Sequence, residues 1–293
     1  MTQSRQKCGS DISYGQNDTV SQDPTIGQST PRQSSRRSQQ QPATLLITGA
    51  TGGIGAALAR LYAKPQRTLI LHGRDPGRLA ALARDCEARG AHVVSTSFDL
   101  RDGAAAVAAL RQLSGTHRID LAIVNAGVSS MIGRGEEVED WETARAVLAV
   151  NLDGALATVA GVLPEMRRRG AGQIALVSSL EAYIGMPVTP VYSASKAALK
   201  AYGEALRGWL APQGIQVNVV LPGFVRTPMS DRYTAAKPWM MSPERAANLI
   251  RRGLERNRAR TAFPRMLAWG MWWLSVLPPG VSQRILRALG YGG

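Results

Sequence analysis

A chain of 293 residues with 44% apolar side chains has enough material for a sizeable buried core, as one large α/β domain or two small ones. Aromatics at 5%, charged residues at 19% and ordinary glycine and proline argue against collagen-like, coiled-coil and wholly disordered architectures. The net charge of +14 would suit nucleic acid, but half of it falls between Met241 and Gly293, where only Phe263 interrupts the arginines from Arg245 to Arg265; no nucleic-acid partner is expected without stacking aromatics.

Residues 1–41 are rich in Ser, Gln, Thr and Asn and nearly free of large apolar side chains, so they cannot offset their ordering entropy and are read as a disordered extension. They lack the apolar core of a secretory signal, and Asp11, Asp18 and Asp23 interrupt any transit-peptide pattern. Cys8 and Cys86, with His72, His92 and His117, are too few for a disulfide framework or a structural zinc site. No metal is expected, and a reducing, cytoplasmic setting is. No apolar stretch reaches the roughly 18 residues of a membrane span.

After Pro42 the pattern changes to short apolar runs that read as buried strands: Ala43 onward to the glycine at Gly49, then Thr68–His72, His92–Phe98, Leu121–Asn125, Gln173–Ser178 and Gln216–Leu221. Between them, Gly55–Ala63, Arg78–Arg89, Gly103–Leu113, Trp141–Arg169 and Ser193–Leu210 carry helical periodicity. Strands alternating with helices predict βαβ units: an α/β fold with one doubly wound, mainly parallel sheet and helices on both faces. The domain is drawn over residues 42–264, with 265–293 as an apolar and basic extension.

The first strand runs into Thr48-Gly-Ala-Thr-Gly-Gly-Ile-Gly55 and then an Ala-rich helix. Glycines at that junction let the backbone approach a pyrophosphate at a helix N-terminus. The second strand ends in His72-Gly73-Arg74, where such a fold meets the adenosine ribose. An acidic residue there would bind the ribose hydroxyls, whereas Arg74 favours a 2′-phosphate, so NADP(H) is preferred and NAD(H) remains open, as does a plain loop arginine. At the end of the fifth strand stands Ser179, followed by Tyr192-Ser-Ala-Ser-Lys196 opening a helix. The i, i+4 spacing puts an ammonium near a phenol, which would lower the phenol's pKa toward the range useful for acid-base chemistry.

Taken together, these residues resemble the short-chain dehydrogenase/reductase family from Thr44 to about Phe263. The likeness rests on the glycine turn Thr48–Gly55, Asp99 after the third strand, Asn125-Ala126-Gly127 after the fourth, Asn151 in the long helix, Ser179, Tyr192 and Lys196, and Pro222-Gly223. The thirteen-residue step from Ser179 to Tyr192 also fits. The family often has a further Asn where this chain has Val124.

The resemblance implies a Rossmann-type enzyme in which Tyr192 is the general acid in reduction and the base in oxidation. Lys196 would lower the Tyr192 pKa and bind the nicotinamide ribose, Ser179 would orient the substrate oxygen, and Asn151 would hold a water linking Lys196 to solvent. Thr48, Gly49, Thr51, Gly53, Ile54 and Gly55 would cradle the pyrophosphate. Asp99 and Leu100 would meet the adenine, Asn125, Ala126 and Gly127 would line the adenosine, and Pro222, Gly223 and Thr227 would sit by the nicotinamide. Taken singly, Asn151 is equally an ordinary polar helix residue, Asp99 a cap for the helix near Gly103, and Thr227 a turn residue before Pro228.

Past Gly223 the chain carries Met229, Tyr233, Trp239, Met240 and Met241, a loop suited to cover an apolar substrate. Ser242 and Pro243 then cap an Arg-rich helix, and Thr261–Pro264 reads as a short last strand. The segment 265–291 is apolar nearly all round, with Trp269, Trp272 and Trp273 near Arg265, Arg284 and Arg287. That pattern fits packing on the domain, a subunit contact or a peripheral membrane surface. The expected activity is an NADP(H)-dependent oxidoreductase moving a hydride between nicotinamide and a carbonyl or secondary alcohol of a lipophilic small molecule. The alternative is a dinucleotide sensor or scaffold on the same fold. By resemblance, a homodimer or homotetramer forms through the two long helices.

Overall fold

The computed structural model describes residues 42–132, 139–231, 233 and 236–291. The extension expected to be disordered, 1–41, lies outside the described residues. Among these, β1 (Thr44–Ile47), β2 (Thr68–His72), β3 (His92–Thr96), β4 (Leu121–Val124), β5 (Gly172–Val177), β6 (Ile215–Pro222) and β7 (Arg260–Phe263) form one sheet in the order β3-β2-β1-β4-β5-β6-β7. Every pairing is parallel. The strands lie where the apolar runs place them, with ends shifted by a residue or two.

Alternation along the strands decides which helix layer each side chain meets. In β1, Leu45 and Ile47 pack with α1 (Gly53–Tyr62), α2 (Pro76–Ala88) and α8 (Pro243–Glu255) through Leu58, Leu82 and Ile250. Leu46 faces the other layer, α3 (Gly103–Thr116), α5 (Gly154–Arg168) and α6 (Pro190–Leu210), through Leu110, Val162 and Leu206. Because β1 has β2 on one side and β4 on the other, the chain reverses its winding there and opens a crevice at the strands' C-terminal ends.

Helix starts are set by short polar side chains. Asp75 accepts from the Arg78 amide, Asp102 from Ala105 and Ser242 from Arg245, each satisfying an orphan donor of the first turn. The cap of α3 is therefore Asp102, which releases Asp99 from the capping role it could have had.

The helix expected over Trp141–Arg169 forms as one continuous run that carries a π-bulge. It forms α4 (Trp141–Leu148), a π-turn at Ala149–Asp153 and α5. The inserted residue lets Asn151 turn fully inward, a position an unbroken apolar periodicity does not disclose. The continuous segment Trp141–Arg168 is also long and apolar enough to cross a membrane, contrary to the reading that no stretch is, but over half of its apolar window is buried in this fold.

Beyond β7, α9 (Arg265–Val276) and α10 (Pro279–Leu286) fold back over the C-terminal edge of the sheet. Met271 and Leu286 join Leu180, Met186, Leu221 and Tyr233 in a third apolar cluster. The segment from β1 to Tyr291 is one compact body.

Candidate active site

The crevice at the β1/β4 reversal is part of a cavity of about 1120 Å³ that runs from the β1–α1 turn to α9 and α10. Its first wall is the glycine turn. Gly49 has φ of +62°, and a Cβ there would lie 2.7 Å from the Ala126 Cα, so the position demands glycine on both counts. A Cβ on Gly53 would come within 2.3 Å of Thr227 Cγ2, which brings the turn against the loop after β6.

Asn125 ties the turn down. Its Nδ2 donates to the carbonyls of Thr48 and Gly49, both at 3.1 Å, while Thr48 Oγ1 accepts from the amides of Asn125 and Ala126. Val124, the residue that departs from the family pattern, is simply a buried end of β4. Thr48, Gly55 and Asn151 stand behind the cavity lining, and the other expected residues, from Gly49 and Thr51 to Gly223 and Thr227, line it.

At the end of β2, Arg74 is exposed on the cavity rim, and Arg78 reaches back from the first turn of α2 to donate to the Thr51 carbonyl at 3.1 Å. Arg78 carries no signal in the motif itself, because it stands four residues past Arg74 on α2 and joins this end only through its bond across to Thr51. Asp99 is held by the Arg101 guanidinium at 2.6 Å, which lowers its pKa to about 2, so its carboxylate is engaged beside the lining. Thr227 is both turn and wall: its amide and hydroxyl exchange hydrogen bonds with Ser230.

The chemical centre is built by β5 and α6. Ser179 follows β5 and caps a short 3₁₀ turn, Leu180–Ala182, its hydroxyl accepting from the Glu181 amide at 3.2 Å and standing close enough to the Tyr192 phenol to act on it. One helical turn later, Lys196 Nζ sits 5.6 Å from the centroid of the Tyr192 ring and donates to the Val177 carbonyl at 3.1 Å. Burial lowers the Lys196 pKa to about 8, opposed by the charge of Glu181. The Tyr192 phenol is pushed up instead of down: burial is the main cause, the Glu181 charge adds to it, and the Ser179 hydroxyl only offsets part. The i, i+4 spacing thus delivers the expected proximity, while desolvation decides the direction of the shift.

Asn151 holds this centre in place. Its Oδ1 accepts from the Val128 amide (2.8 Å), and its Nδ2 donates to the Val128 carbonyl (2.9 Å) and Ser195 Oγ (3.0 Å). A Cβ on Gly127 would lie 3.3 Å from both Asn151 Oδ1 and Lys196 Nζ, which shows how closely the three converge.

Of the loop expected to cover the site, Met229, Tyr233 and Trp239 line the cavity. Met241 does not: it packs in the core and bridges to Val225. Leu267, Met271, Leu274 and Leu286 of α9 and α10 add an apolar side to the wall, and Glu181 also faces the cavity; the family motifs carry no signal for either.

A protein-family model described as short chain dehydrogenase matches residues 43–238. An uncharacterised oxidoreductase from Myxococcus xanthus is 33% identical over 247 residues, covering 84% of this chain and 97% of that protein. Among solved structures, a short-chain dehydrogenase from Sphingobium yanoikuyae in complex with NADPH aligns at a TM-score of 0.70 and 29% identity, covering 83% of this chain and 95% of its own. A short chain dehydrogenase from Mycobacterium paratuberculosis bound to NAD aligns at 0.65 and 25% identity, covering 75% and 94%.

Proposed function

The chain belongs to the short-chain dehydrogenase/reductase family, and from that premise we propose that it is an NADP(H)-dependent oxidoreductase acting on a carbonyl or secondary alcohol of a lipophilic molecule. The observation that carries this reading is the meeting of Ser179, Tyr192 and Lys196 in the cavity that the glycine turn opens.

The cradle fits a dinucleotide. Gly49, Thr51, Gly53 and Ile54 offer backbone at the N-terminus of α1 with no room for larger side chains, as the clash of any Cβ on Gly49 or Gly53 shows. Asp99, Leu100 and Asn125 to Gly127 would border the adenosine, and Pro222, Gly223 and Thr227 the nicotinamide. When bound, the dinucleotide gives a hydride to the carbonyl carbon or takes one from the alcohol carbon.

The protein's own part is positional and protonic. Ser179 orients the substrate oxygen by hydrogen bonding. Tyr192 delivers the proton to that oxygen in reduction and removes it in oxidation, and its high pKa keeps it loaded as an acid at neutral pH. Lys196, with a pKa of about 8, can exchange a proton near neutrality, and Asn151 fixes the backbone at Val128 opposite it. The apolar wall from α9 and α10 supports a lipophilic substrate.

Arg74 and Arg78 support NADP(H), because a 2′-phosphate between two guanidinium groups gains charge-assisted hydrogen bonds. Calorimetric titration should show NADPH affinity falling about 10- to 100-fold in Arg74→Ala and further in Arg74→Ala/Arg78→Ala, with NADH affinity unchanged. Equal losses for both dinucleotides would remove these arginines as determinants.

The outer face of α9 favours a lipid surface as a further partner. Met266 (67% exposed), Trp269 (61%) and Trp272 project from it away from the cavity, with Arg265, Arg284 and Arg287 also exposed on this segment. Co-sedimentation should show binding to phosphatidylserine vesicles that drops at least tenfold in Trp269→Ser/Trp272→Ser; salt-insensitive retention on neutral vesicles alone, or none on either, would contradict it. Trp141, Leu148 and Leu156 stand outward on α4 and α5, and these are the residues we assign to self-association.

A further inference from the structure

The reaction centre uses Ser179, Tyr192 and Lys196 but gives no role to the carboxylate beside them. Glu181 stands two residues after Ser179, in the 3₁₀ turn, half-buried in the cavity wall that Leu180, Met186, Met271 and Tyr291 also line. Its Oε2 accepts from Thr189 Oγ1 at 2.6 Å and from Ser193 Oγ at 3.1 Å. Ser193 is itself fixed by the Met186 amide at 3.1 Å, so the carboxylate has one set orientation. Oε1 has no hydrogen-bond partner among the described residues, and neither oxygen is within ion-pair distance of a described cation. Glu181 faces the cavity.

A second polar group is left unpaired at the same end. Tyr233 Oη is buried without a partner among the described residues and lines the cavity too. Tyr192 and Tyr291 line the same cavity, and the Glu181 charge is felt by all three phenols and by the Lys196 ammonium. A half-buried carboxylate facing a largely apolar cavity loses its water when an apolar molecule fills that cavity, which is costly unless the molecule brings a donor. Tying the 181–189 loop to α6 is a sufficient role for Oε2, but any neutral acceptor would serve that purpose, and Oε1 is left free on a residue that faces the cavity.

We propose that Glu181 is a specificity-determining residue: its Oε1 receives a hydrogen-bond donor, an ammonium or a hydroxyl, borne by the substrate close to the carbon that is oxidised or reduced. The rest of the substrate is an apolar chain lying against Leu267, Met271 and Leu274. The assignment rests on the reading of Ser179 and Tyr192 as the pair that holds the carbonyl, since their nearness to Glu181 is what places the donor beside the reacting carbon. An ammonium matches best, because it compensates the half-buried charge as well as filling the free lone pair.

The test compares 2-decanone, 1-hydroxy-2-decanone and 1-amino-2-decanone as substrates of the full chain with NADPH, in wild type and Glu181→Gln. Glutamine still accepts from Thr189 and Ser193, so the loop keeps its anchor while the charge is gone. In wild type, kcat/KM is expected to rank amino above hydroxy above unsubstituted, with about 100-fold between the extremes. In Glu181→Gln the amino preference should collapse to within about tenfold. A purely structural role predicts instead that all three ketones lose the same factor, which would overturn the proposal.

Calorimetry of octylamine and 1-octanol with protein saturated in NADP⁺ reads the same site without turnover. Octylamine binding at least tenfold weaker in Glu181→Gln, with 1-octanol changed less, supports the assignment even where no ketone is reduced, in which case only the catalytic reading falls. Equal octylamine binding by the two proteins overturns it whatever the kinetics show.

Discussion

Replacing Tyr192 by Phe is expected to lower kcat about 1000-fold while leaving the Kd for NADPH within about threefold of wild type. The size follows from the loss of a positioned proton donor, an effect of roughly 10² to 10⁴. The ring stays because Phe fills the same space beside Lys196, so the cradle at Gly49 and Gly53 is untouched. Single-turnover absorbance at the nicotinamide band, run beside calorimetric binding, separates the two quantities. Turnover within threefold of wild type would return the sensor or scaffold reading to the front, since such a protein has no use for an aligned phenol, hydroxyl and ammonium.

Lys196→Met is expected to suppress turnover by a similar factor and to change how stability depends on pH. In the folded protein Lys196 has a pKa of about 8, below the ordinary lysine value of 10.5, because burial disfavours the ammonium. Below pH 8 both the folded and the unfolded chain hold the proton, and the full cost of the buried charge is present. Between about pH 8 and 10.5 the unfolded chain binds more protons, so stability contributed by this group rises with pH. The melting temperature of wild type should therefore climb relative to that of Lys196→Met from pH 7.5 to pH 10. A constant difference across that range would mean that desolvation is not what holds the lysine down. The comparison with the variant cancels Tyr62 and the other phenols raised by burial, which titrate above this window in both proteins.

Much of this was legible in the residues, for reasons that differ by element. The strand runs Thr68–His72 and Gln216–Leu221 stand out because a parallel sheet covered on both faces needs continuous apolar side chains. Ser179, Tyr192 and Lys196 were found because their chemistry depends on local spacing and on a strand end, both readable in one dimension. The bulge at Asn151 was not, since Ala, Val and Leu continue on both sides and the π-turn is stabilised by contacts to Val128 and Ser195, distant in sequence. Asp102 took the cap position that three-residue spacing left open to Asp99, and Arg78 enters the dinucleotide end only through its bond to Thr51. Glu181 was passed over because its neighbours in sequence are apolar, and its hydroxyl partners Thr189 and Ser193 come from the start of the next helix.

The cavity has two builders. Its floor and dinucleotide end come from β1, β4, β5 and α6, within the span 43–238 that the family model matches, whereas Leu267, Met271, Leu274 and Leu286 belong to a helical pair beyond it. Those outer helices carry none of the acid-base groups and none of the glycine turn. Under the proposed function, exchanges of their cavity-facing side chains that keep the packing of Met271 and Leu286 would change what the cavity accepts more than they change the acid-base groups. A lineage of such proteins would keep its chemistry constant while its substrate repertoire drifts with the last thirty or so residues, and sequence divergence concentrated there would record changes of substrate rather than decay of the enzyme.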